Sequence, residues 1–374
     1  MASLDPASKW ETDEFRILVD CGLFQGSKSE RELNYGAFPF PASAIDAMIL
    51  PHAHIDHSGL VPKLMKHGFS GAIHATSATV DLCTVMLPHS APIQELEVEQ
   101  LNRRNAQRGR PAVTPIYTKE DAADCMLLFR PEEYKVWFTV AEGVRARFWN
   151  AGHLLGSASV ELEFRQAGEE KPLRVLFSGD IGPRHKLLQP DPEGPDRLDY
   201  VICESTYGDR ERGEYSPEAR RLELRAEIIK AIDAGGPLLV PSFAVERTQE
   251  LLVDLFLLMR DGGIPEFPIF VDSPLATRAS RVFEQHADEI EHGDILRRAL
   301  NASHIRFTET VEQSKAINRL RGFFVVIAAS GMCDAGRIRH HLKANLWRRG
   351  ATVNQTLYSS GRNRSMQSAA SSLV

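Results

Sequence analysis

The segment that most constrains the fold of this chain begins at His52, where four potential metal ligands follow the pattern His-x-His-x-Asp-His. It comes directly after the apolar run 47–50, which predicts a buried strand. Imidazole and carboxylate groups are ligands that Zn²⁺ and similar divalent ions accept. Alternate residues of an extended segment point to the same side, so His52 and His54 can bind one ion while Asp56 and His57 face a second. The pattern predicts a dinuclear metal site, against the alternative of a polar loop with solvated histidines.

Length and composition indicate a globular protein with two or three domains. The chain has 374 residues, of which 43% are hydrophobic and 25% charged. Its formal charge of −6 argues against nucleic-acid binding over the whole surface but leaves local basic patches open. Five dispersed cysteines without a Cys-x-x-Cys pair predict neither a disulfide framework nor a zinc ribbon, which favours reduced thiols in the cytoplasm. No apolar run approaches ~18 residues, so we expect no membrane span.

Three further candidate residues follow strand-like segments in the same way as the histidines. Asp20 follows a short apolar segment and could orient a ligand imidazole, although it could instead cap a turn. His153 follows the alternating segment 144–150 in a turn flanked by glycines, and Asp180 follows the segment 173–177. Asp180 has the chemistry to bridge two cations. We therefore expect these three residues to lie beside the histidine run.

The region between these segments has no obvious ligands. Residues 77–132 predict a mostly helical region with a proline-containing break at Pro92. The stretch 93–108 is acidic in its first half and basic in its second, which is typical of a solvated helix face. We therefore favour plain solvation over RNA contact for its arginines.

The second half of the chain alternates short apolar strands with helical patterns. Strands are predicted at 238–240, 269–271 and 323–327, and helices at 248–259 and 336–346. This alternation predicts parallel βαβ units with loops at the carboxyl ends of the strands, where backbone N–H groups favour anions. The substrate-binding candidates in these loops are Ser242, Arg247, Ser273, Ser330, Gly331 and Arg337. Each arginine could instead form a salt bridge or remain solvated.

These motifs together resemble a known family. The residues that follow the predicted strands of the first half are similar to the first four motifs of the metallo-β-lactamase fold, namely Asp20, His52–His57, His153 and Asp180. Glu204, in the stretch 203–208, resembles the first motif of the β-CASP branch, a group of RNA-processing nucleases. Three further segments resemble the inserted β-CASP domain, namely 241–250, 271–276 and 329–333.

The resemblance implies an α/β fold in which a Rossmann-like parallel α/β β-CASP domain is inserted into an incomplete metallo-β-lactamase αββα sandwich. It places the metallo-β-lactamase domain at 1–204, the β-CASP domain at 205–350 and an atypical, flexible tail at 351–374. Residues 354–374 are Ser-rich and unlike the family, and the chain lacks the Ser-x-His-x-Asp-type motif and final metal-ligating histidine that members carry. We therefore expect a chain truncated at both ends.

The resemblance also implies two divalent ions, with zinc as the first choice. The metal ligands would be His52, His54 and His153 for the first ion and Asp56 and His57 for the second, with Asp180 bridging. The catalytic candidates would be Asp20, Asp56, Asp180 and Glu204. The ions would lower the pKa of a shared water and neutralise charge on a phosphodiester. Because the C-terminal histidines are missing, we expect a weak second site and hydrolysis slowed by about 10²–10⁴-fold.

The predicted function is metal-dependent hydrolysis of RNA phosphodiester bonds by a ribonuclease, with single-stranded RNA held in a cleft between the two domains. One alternative is a promiscuous metallohydrolase of small esters, phosphoesters or lactams, because an incomplete second site would expose the activated water. A second alternative is a non-catalytic RNA-binding subunit, although that role needs no metal ligands. The predicted location is the cytoplasm, and the oligomeric state stays open, with a homodimer as one option.

Overall fold

A computed structural model describes residues 8–11, 15–165, 171–206, 208–209, 216–333 and 335–354. These residues form two compact units. The first unit takes the chain up to Arg184 and again from Pro190 to Asp209. The second takes the short segment His185–Gln189 and the chain from residue 216 onward. The domain boundaries expected at 204 and 350 stay predictions, and residues 355–374 of the expected tail lie outside the described residues.

The first sheet of the first unit is parallel except at one edge. Its order is β1-β2-β3-β4-β5, and only the β1–β2 pair is antiparallel. The strands are β1 (Ser8–Glu11), β2 (Arg16–Val19), β3 (Ala47–Ile49), β4 (Ala72–Thr76) and β5 (Phe129–Glu132). Strands β2 to β4 carry runs of consecutive buried residues, as is typical of parallel strands covered on both faces. The carboxyl ends of β2 and β3 therefore lie side by side.

The second sheet of this unit is mostly antiparallel. Its order is β10-β9-β8-β7-β6, and only β10 and β9 are parallel. The strands are β6 (Phe138–Ala141), β7 (Val144–Asn150), β8 (Ala158–Phe164), β9 (Leu173–Phe177) and β10 (Tyr200–Ile202). Alternate residues of β7, such as Val144 and Phe148, join one apolar cluster with Ile17, Val19 and Ile49 of the first sheet. The core of the unit therefore lies between two facing sheets.

One helix of this unit differs from the sequence prediction. The α-helices are α1 (Lys28–Leu33), α2 (Ile55–Ser58), α3 (Val61–Lys66), α4 (Ser77–Gln107) and α5 (Lys119–Asp124). Helix α4 continues through Pro88 and Pro92, so the predicted break at Pro92 was wrong. A proline removes one backbone hydrogen bond, but residues before and after it, such as Leu87 and Val98, are buried and hold the helix against the unit.

The second unit contains one parallel sheet. Its order is β13-β12-β14-β11-β15, with every pair parallel. The strands are β11 (Leu238–Pro241), β12 (Ile269–Val271), β13 (Ile305–Phe307), β14 (Val325–Ala328) and β15 (Thr352–Val353). The helices are α6 (Pro217–Ala234), α7 (Arg247–Arg260), α8 (Pro274–Gln285), α9 (Gly293–Leu300), α10 (Val311–Ile317) and α11 (Ile338–Asn345). Separate apolar clusters include Leu238 and Leu239, adjacent residues of β11 that point to opposite faces.

Short 3₁₀ helices at Ala42–Ala44, Cys125–Leu128 and Ala287–Glu289 complete the secondary structure of the described residues. No helix in the described part of the chain is both long enough and apolar enough to cross a membrane. The strand Thr352–Val353 pairs with β11, so the first residues of the expected tail belong to the parallel sheet.

Candidate metal centre

The loops after β2 and β3 bring the first candidate residues together. The backbone N–H of Asp20 donates to Ile49 O at 3.1 Å, and Cys21 N–H donates to His57 O at 2.8 Å. Gly22 lies so close to helix α2 that a Cβ there would be 1.6 Å from the carbonyl oxygen of Asp56. Only glycine fits at this crossing. The close approach therefore fixes Asp20 beside the histidine run.

Four side chains from distant parts of the sequence converge beside these loops. His52, His54, His153 and Asp180 each offer one ligand atom, and these atoms lie within 4.8 Å of one another. His153 Nε2 is 3.1 Å from His54 Nδ1 and 3.4 Å from Asp180 Oδ2. His52 Nε2 is 3.8 Å from the same carboxylate oxygen. Three imidazoles and one carboxylate are a donor set that suits a divalent ion such as zinc.

His52 provides the test of whether this set fits a metal ion. Its side chain is 1% exposed, and neither ring nitrogen has a hydrogen-bond partner among the described residues. Burial holds the pKa of His52 well below its usual value, and the neighbouring imidazoles lower it further. Buried polar atoms are normally paired, because an unpaired one costs about 1–3 kcal/mol. A neutral, unpaired imidazole beside two others and a carboxylate is what a metal ligand requires, so the residues fit the ion.

His57 lies between two carboxylates next to this set. Its Nδ1 is 3.1 Å from Asp20 Oδ1, and its Nε2 is 3.3 Å from Asp180 Oδ1. Burial alone would lower the pKa of His57, but the two carboxylates outweigh it and raise that pKa well above its usual value. Burial likewise favours a raised pKa for Asp180, yet the contact with His57 lowers it to about 2. Burial raises the pKa of Asp20, against the opposing effect of His57.

Four of the expected site residues lie outside the group of four convergent ligands, namely Asp20 and His57, which contact each other, and Asp56 and Glu204. Asp56 is exposed on the first turn of α2, and the four-ligand group does not include it. Glu204 accepts a hydrogen bond from the backbone N–H of Ile181 at 2.8 Å, and its own N–H donates to Ser178 Oγ at 3.0 Å. Glu204 therefore braces the backbone on both sides of Asp180.

Sequence reasoning missed two residues that shape the turn carrying His153. Ser157 Oγ accepts hydrogen bonds from the backbone N–H groups of His153 and Leu154, at 3.0 and 3.1 Å. Asn150 Oδ1 accepts one from Gly152 N–H at 2.7 Å. The signal for Ser157 in the sequence was a hydroxyl residue four positions after His153. It directly follows Gly156, the second glycine of this turn with positive φ. These contacts hold the histidine at the end of β7.

The substrate-binding candidates gather at one edge of the second unit, because β11, β14 and β12 are adjacent and parallel. The serine side chains there have local partners: Ser242 Oγ lies 3.1 Å from Thr248 Oγ1, and Ser273 Oγ accepts from Ala276 N–H at 3.2 Å. Ser330 Oγ accepts from Ala335 N–H at 3.3 Å. These hydroxyl groups already stabilise the loops that follow their strands.

The two candidate arginines also have partners within the second unit. Arg247 Nη1 donates to Glu250 at 3.0 Å. Arg337 Nη1 donates to Asp272 Oδ1 at 2.6 Å, and its Nη2 donates to Glu309 O at 2.7 Å. Asp272 is fully buried and accepts from three more side chains, those of Thr308, Ser314 and His341. Burial would raise the pKa of Asp272, but these donors hold it well below its usual value.

Comparison with known proteins identifies the family to which this chain is similar. The family model described as the metallo-beta-lactamase superfamily matches residues 10–226, and the Beta-Casp domain model matches residues 248–364. The ribonuclease TTHA0252 of Thermus thermophilus is 36% identical over 336 residues, which are 88% of this chain and 71% of the ribonuclease. An RNase J-like protein of Methanocaldococcus jannaschii is 29% identical, with 89% of this chain matching 70% of that protein.

Longer relatives share the same region. The transcription termination factor FttA of Methanosarcina mazei is 29% identical, with 89% of this chain matching 50% of the factor. The chain thus spans about half the length of this factor. A solved structure, Rm3 metallo-beta-lactamase, overlaps 46% of this chain and 54% of its own at 18% identity and a TM-score of 0.28. The predicted fold class is confirmed by the two family models, and the chain belongs to the metallo-β-lactamase superfamily and carries a β-CASP domain.

Proposed function

We propose that this chain is a metal-dependent hydrolase of RNA phosphodiester bonds, a ribonuclease of the β-CASP type. The observation that carries the proposal is the buried, unpaired imidazole of His52 beside His54, His153 and Asp180. Two of the similar proteins are named as a ribonuclease and an RNase J-like protein, which supports RNA as the substrate. The family itself implies binding of divalent metal ions.

We further propose that the chain holds two ions, both zinc. The first would be held by His52, His54, His153 and Asp180, and the second by His57, Asp56 and the shared Asp180. Bound ions of this kind supply Lewis acidity, which lowers the pKa of a water and stabilises negative charge on a phosphodiester. The exposed position of Asp56 favours weaker binding at the second site.

The chain's own residues would hold this chemistry in place. Asp20, 3.1 Å from His57 Nδ1, sets the orientation of that ring and directs its Nε2 toward Asp180. Glu204 and Ser157 fix the turns that carry Asp180 and His153. Each of these residues acts by positioning a ligand, so its loss should lower metal affinity before it changes the fold.

The substrate we propose is single-stranded RNA. Its bases are unpaired and can be contacted by side chains, whereas paired bases in a duplex are stacked and shielded. The loops after β11, β12 and β14 offer backbone N–H groups to the phosphates. A cytoplasmic location and a homodimer are further proposals, the second of which light scattering on the purified protein would test.

Metal content and RNA cleavage test the proposal together. Elemental analysis of the purified protein should find between one and two zinc ions per chain, and a labelled single-stranded RNA should be cleaved with added Zn²⁺ or Mn²⁺. His54→Ala should lose RNA cleavage and the ion of the first site. His292→Asn is the matched control, because His292 is an exposed histidine with positive φ that asparagine tolerates.

Two outcomes would contradict the proposal. Metal-loaded protein that leaves RNA intact would refute the nuclease. If the same protein hydrolyses p-nitrophenyl esters or phosphodiesters, and His54→Ala abolishes that turnover, the activity is that of a small-molecule metallohydrolase.

A further inference from the structure

An exposed aromatic ring lies beside the substrate-binding candidates of the second unit. Phe243 follows β11 directly after Ser242, and 51% of the residue is exposed. Within the described residues, its ring contacts neither another aromatic ring nor a cation. Single exposed apolar residues are common on protein surfaces, so exposure alone indicates no function.

The backbone that carries this ring is fixed. Thr248 Oγ1 donates to Phe243 O at 2.7 Å, and Ser242 Oγ donates to the same oxygen at 3.2 Å. Ser242 N–H donates to Ala328 O of β14 at 3.0 Å, and the next residue, Ala244, is buried. Phe243 is thus displayed from a held turn, which lowers the entropy cost of binding a ligand to it.

Gly331 covers one side of the ring. A Cβ at this position would lie 3.1 Å from Cδ2 and from Cε2 of Phe243, closer than an alanine could be placed without moving the ring. Met332, the next residue, is 69% exposed and adds a thioether chain beside the glycine. The glycine supports the ring on one side, and other parts of the ring remain open to solvent.

Unpaired backbone donors accompany the ring. The N–H groups of Phe243, Gly331 and Met332 donate to no protein acceptor in the part of the chain that the structure describes. They belong to the loops after β11 and β14, which are neighbours in the sheet. A cluster of free N–H groups suits an anion, and a flat apolar ring suits a nucleobase. A nucleotide of a single strand presents both a phosphate and an unpaired base.

We propose that Phe243 is a nucleobase-stacking residue for single-stranded RNA, with the neighbouring N–H groups facing the adjoining phosphate. The inference rests on the proposed function, since it takes the substrate to be RNA. Stacking on a ring face does not depend on which base is present. Phe243 would therefore contribute to affinity without selecting a sequence.

Binding affinity is the direct test, and it needs no catalysis. The dissociation constant of a fluorescein-labelled single-stranded RNA is measured by stopped-flow anisotropy on the metal-loaded full chain, which records binding before cleavage. Phe243→Ala should weaken binding about 10-fold, the effect of losing one base–aromatic stack. Phe243→Leu should be equally weak because it keeps apolar volume without a π face, and Phe243→Trp should restore binding.

The matched control is Trp347→Ala. Trp347 is 76% exposed and follows α11. Because α11 starts at the carboxyl ends of the strands and runs back along the sheet, Trp347 lies toward the amino ends of the strands, away from Phe243. This variant should bind RNA like the wild type. A second readout is photo-crosslinking of RNA that carries 5-iodouridine, which should attach to Phe243 and be located by mass spectrometry.

The outcomes separate this inference from the proposed function. If the wild type cleaves RNA but Phe243→Ala binds as tightly as Trp347→Ala, stacking is refuted and the nuclease stands. An absent crosslink in the same experiment would confirm that refutation. If the wild type neither binds nor cleaves RNA, both the function and the stacking residue are refuted.

Discussion

Two buried histidines, one in each unit, show opposite ways of placing an imidazole inside a protein. His52 is 1% exposed, and its two ring nitrogens have no hydrogen-bond partner in the described part of the chain. His341 is 0% exposed, yet its Nε2 lies 2.5 Å from Asp272 Oδ2 and its Nδ1 lies 3.0 Å from Asn318 Oδ1. Because an unpaired buried group costs stability, the difference indicates that His341 belongs to the architecture and that His52 is kept for a ligand.

The surroundings of the two rings differ in the same way. Around His341, Asp272 also accepts from Thr308, Ser314 and Arg337, so the buried charge is surrounded by donors. Around His52, the nearest groups are other imidazoles and the Asp180 carboxylate, which lies 3.8 Å away. The first network is complete within the protein. The second becomes complete only when a cation is added.

The largest expected effect is on stability in the paired network. Asp272→Asn removes the charge that faces Arg337 and His341 and leaves these donors poorly matched inside the unit. We expect the free energy of unfolding to fall by about 3–5 kcal/mol, the cost of breaking a buried ion pair. Urea denaturation followed by circular dichroism measures it.

The matched control for this change is Asp288→Asn, which breaks an exposed ion pair with Arg297. It should leave the urea midpoint unchanged. If Asp272→Asn proves as stable as this control, the network around His341 is not part of the architecture and the comparison with His52 fails.

The next effect is the response of stability to zinc. At about 100 times the dissociation constant, a bound ion adds about 2.7 kcal/mol to the stability of the folded state. We expect calorimetry to show this gain in the wild type and in His292→Asn, and a smaller gain in His52→Ala, which keeps only the ligands of the second, weaker site. A zinc response as large in His52→Ala as in the wild type would show that the unpaired nitrogens of His52 are not metal ligands.

A smaller effect is expected from acid, through the lowered pKa of Asp272. Because the folded pKa lies below the unfolded value of about 3.9, this carboxylate stabilises the protein above that pH and the contribution is lost as the pH falls toward the folded pKa. Between the folded and the unfolded pKa of Asp272, each pH unit of acidification should lower the free energy of unfolding by up to about 1.4 kcal/mol.

The acid effect is isolated by comparing two proteins. The difference in unfolding free energy between wild type and Asp272→Asn should shrink as the pH is lowered from about 4, the ordinary range of an aspartate. A difference that stays constant down to the lowest pH at which both proteins remain folded would show that Asp272 is not the group with the lowered pKa.

The sequence was most informative where a candidate metal ligand comes shortly after the end of a strand. His52, His153 and Asp180 each follow a strand, and the folded chain brings them together because those strands end close to one another. Asp56 was harder to place, because residues 55–58 form a turn of helix rather than an extended segment. The alternation that aligned His52 with His54 ends there, and the Asp56 side chain is exposed.

The sequence was least informative for Arg337. An arginine in a loop near the end of a strand can bind a phosphate or a carboxylate equally well. Its partner, Asp272, is 65 positions away along the chain and reaches it only because β12 and β14 are neighbours. Pairing of this kind depends on the strand order, which no local pattern contains.

A substitution at Glu204 tests the difference between paired and unpaired groups and has the smallest expected effect. Its carboxylate lies near the metal centre, yet Oε1 already accepts from Ile181 N–H at 2.8 Å, as in the paired network. Glu204→Gln keeps an oxygen acceptor at that position and removes only the charge. We expect unchanged metal content and RNA cleavage within about tenfold of wild type, because a positioning hydrogen bond is worth about 1 kcal/mol. Loss of about 10²-fold or more at full metal occupancy would instead assign Glu204 to proton transfer, because acid–base groups contribute on that scale.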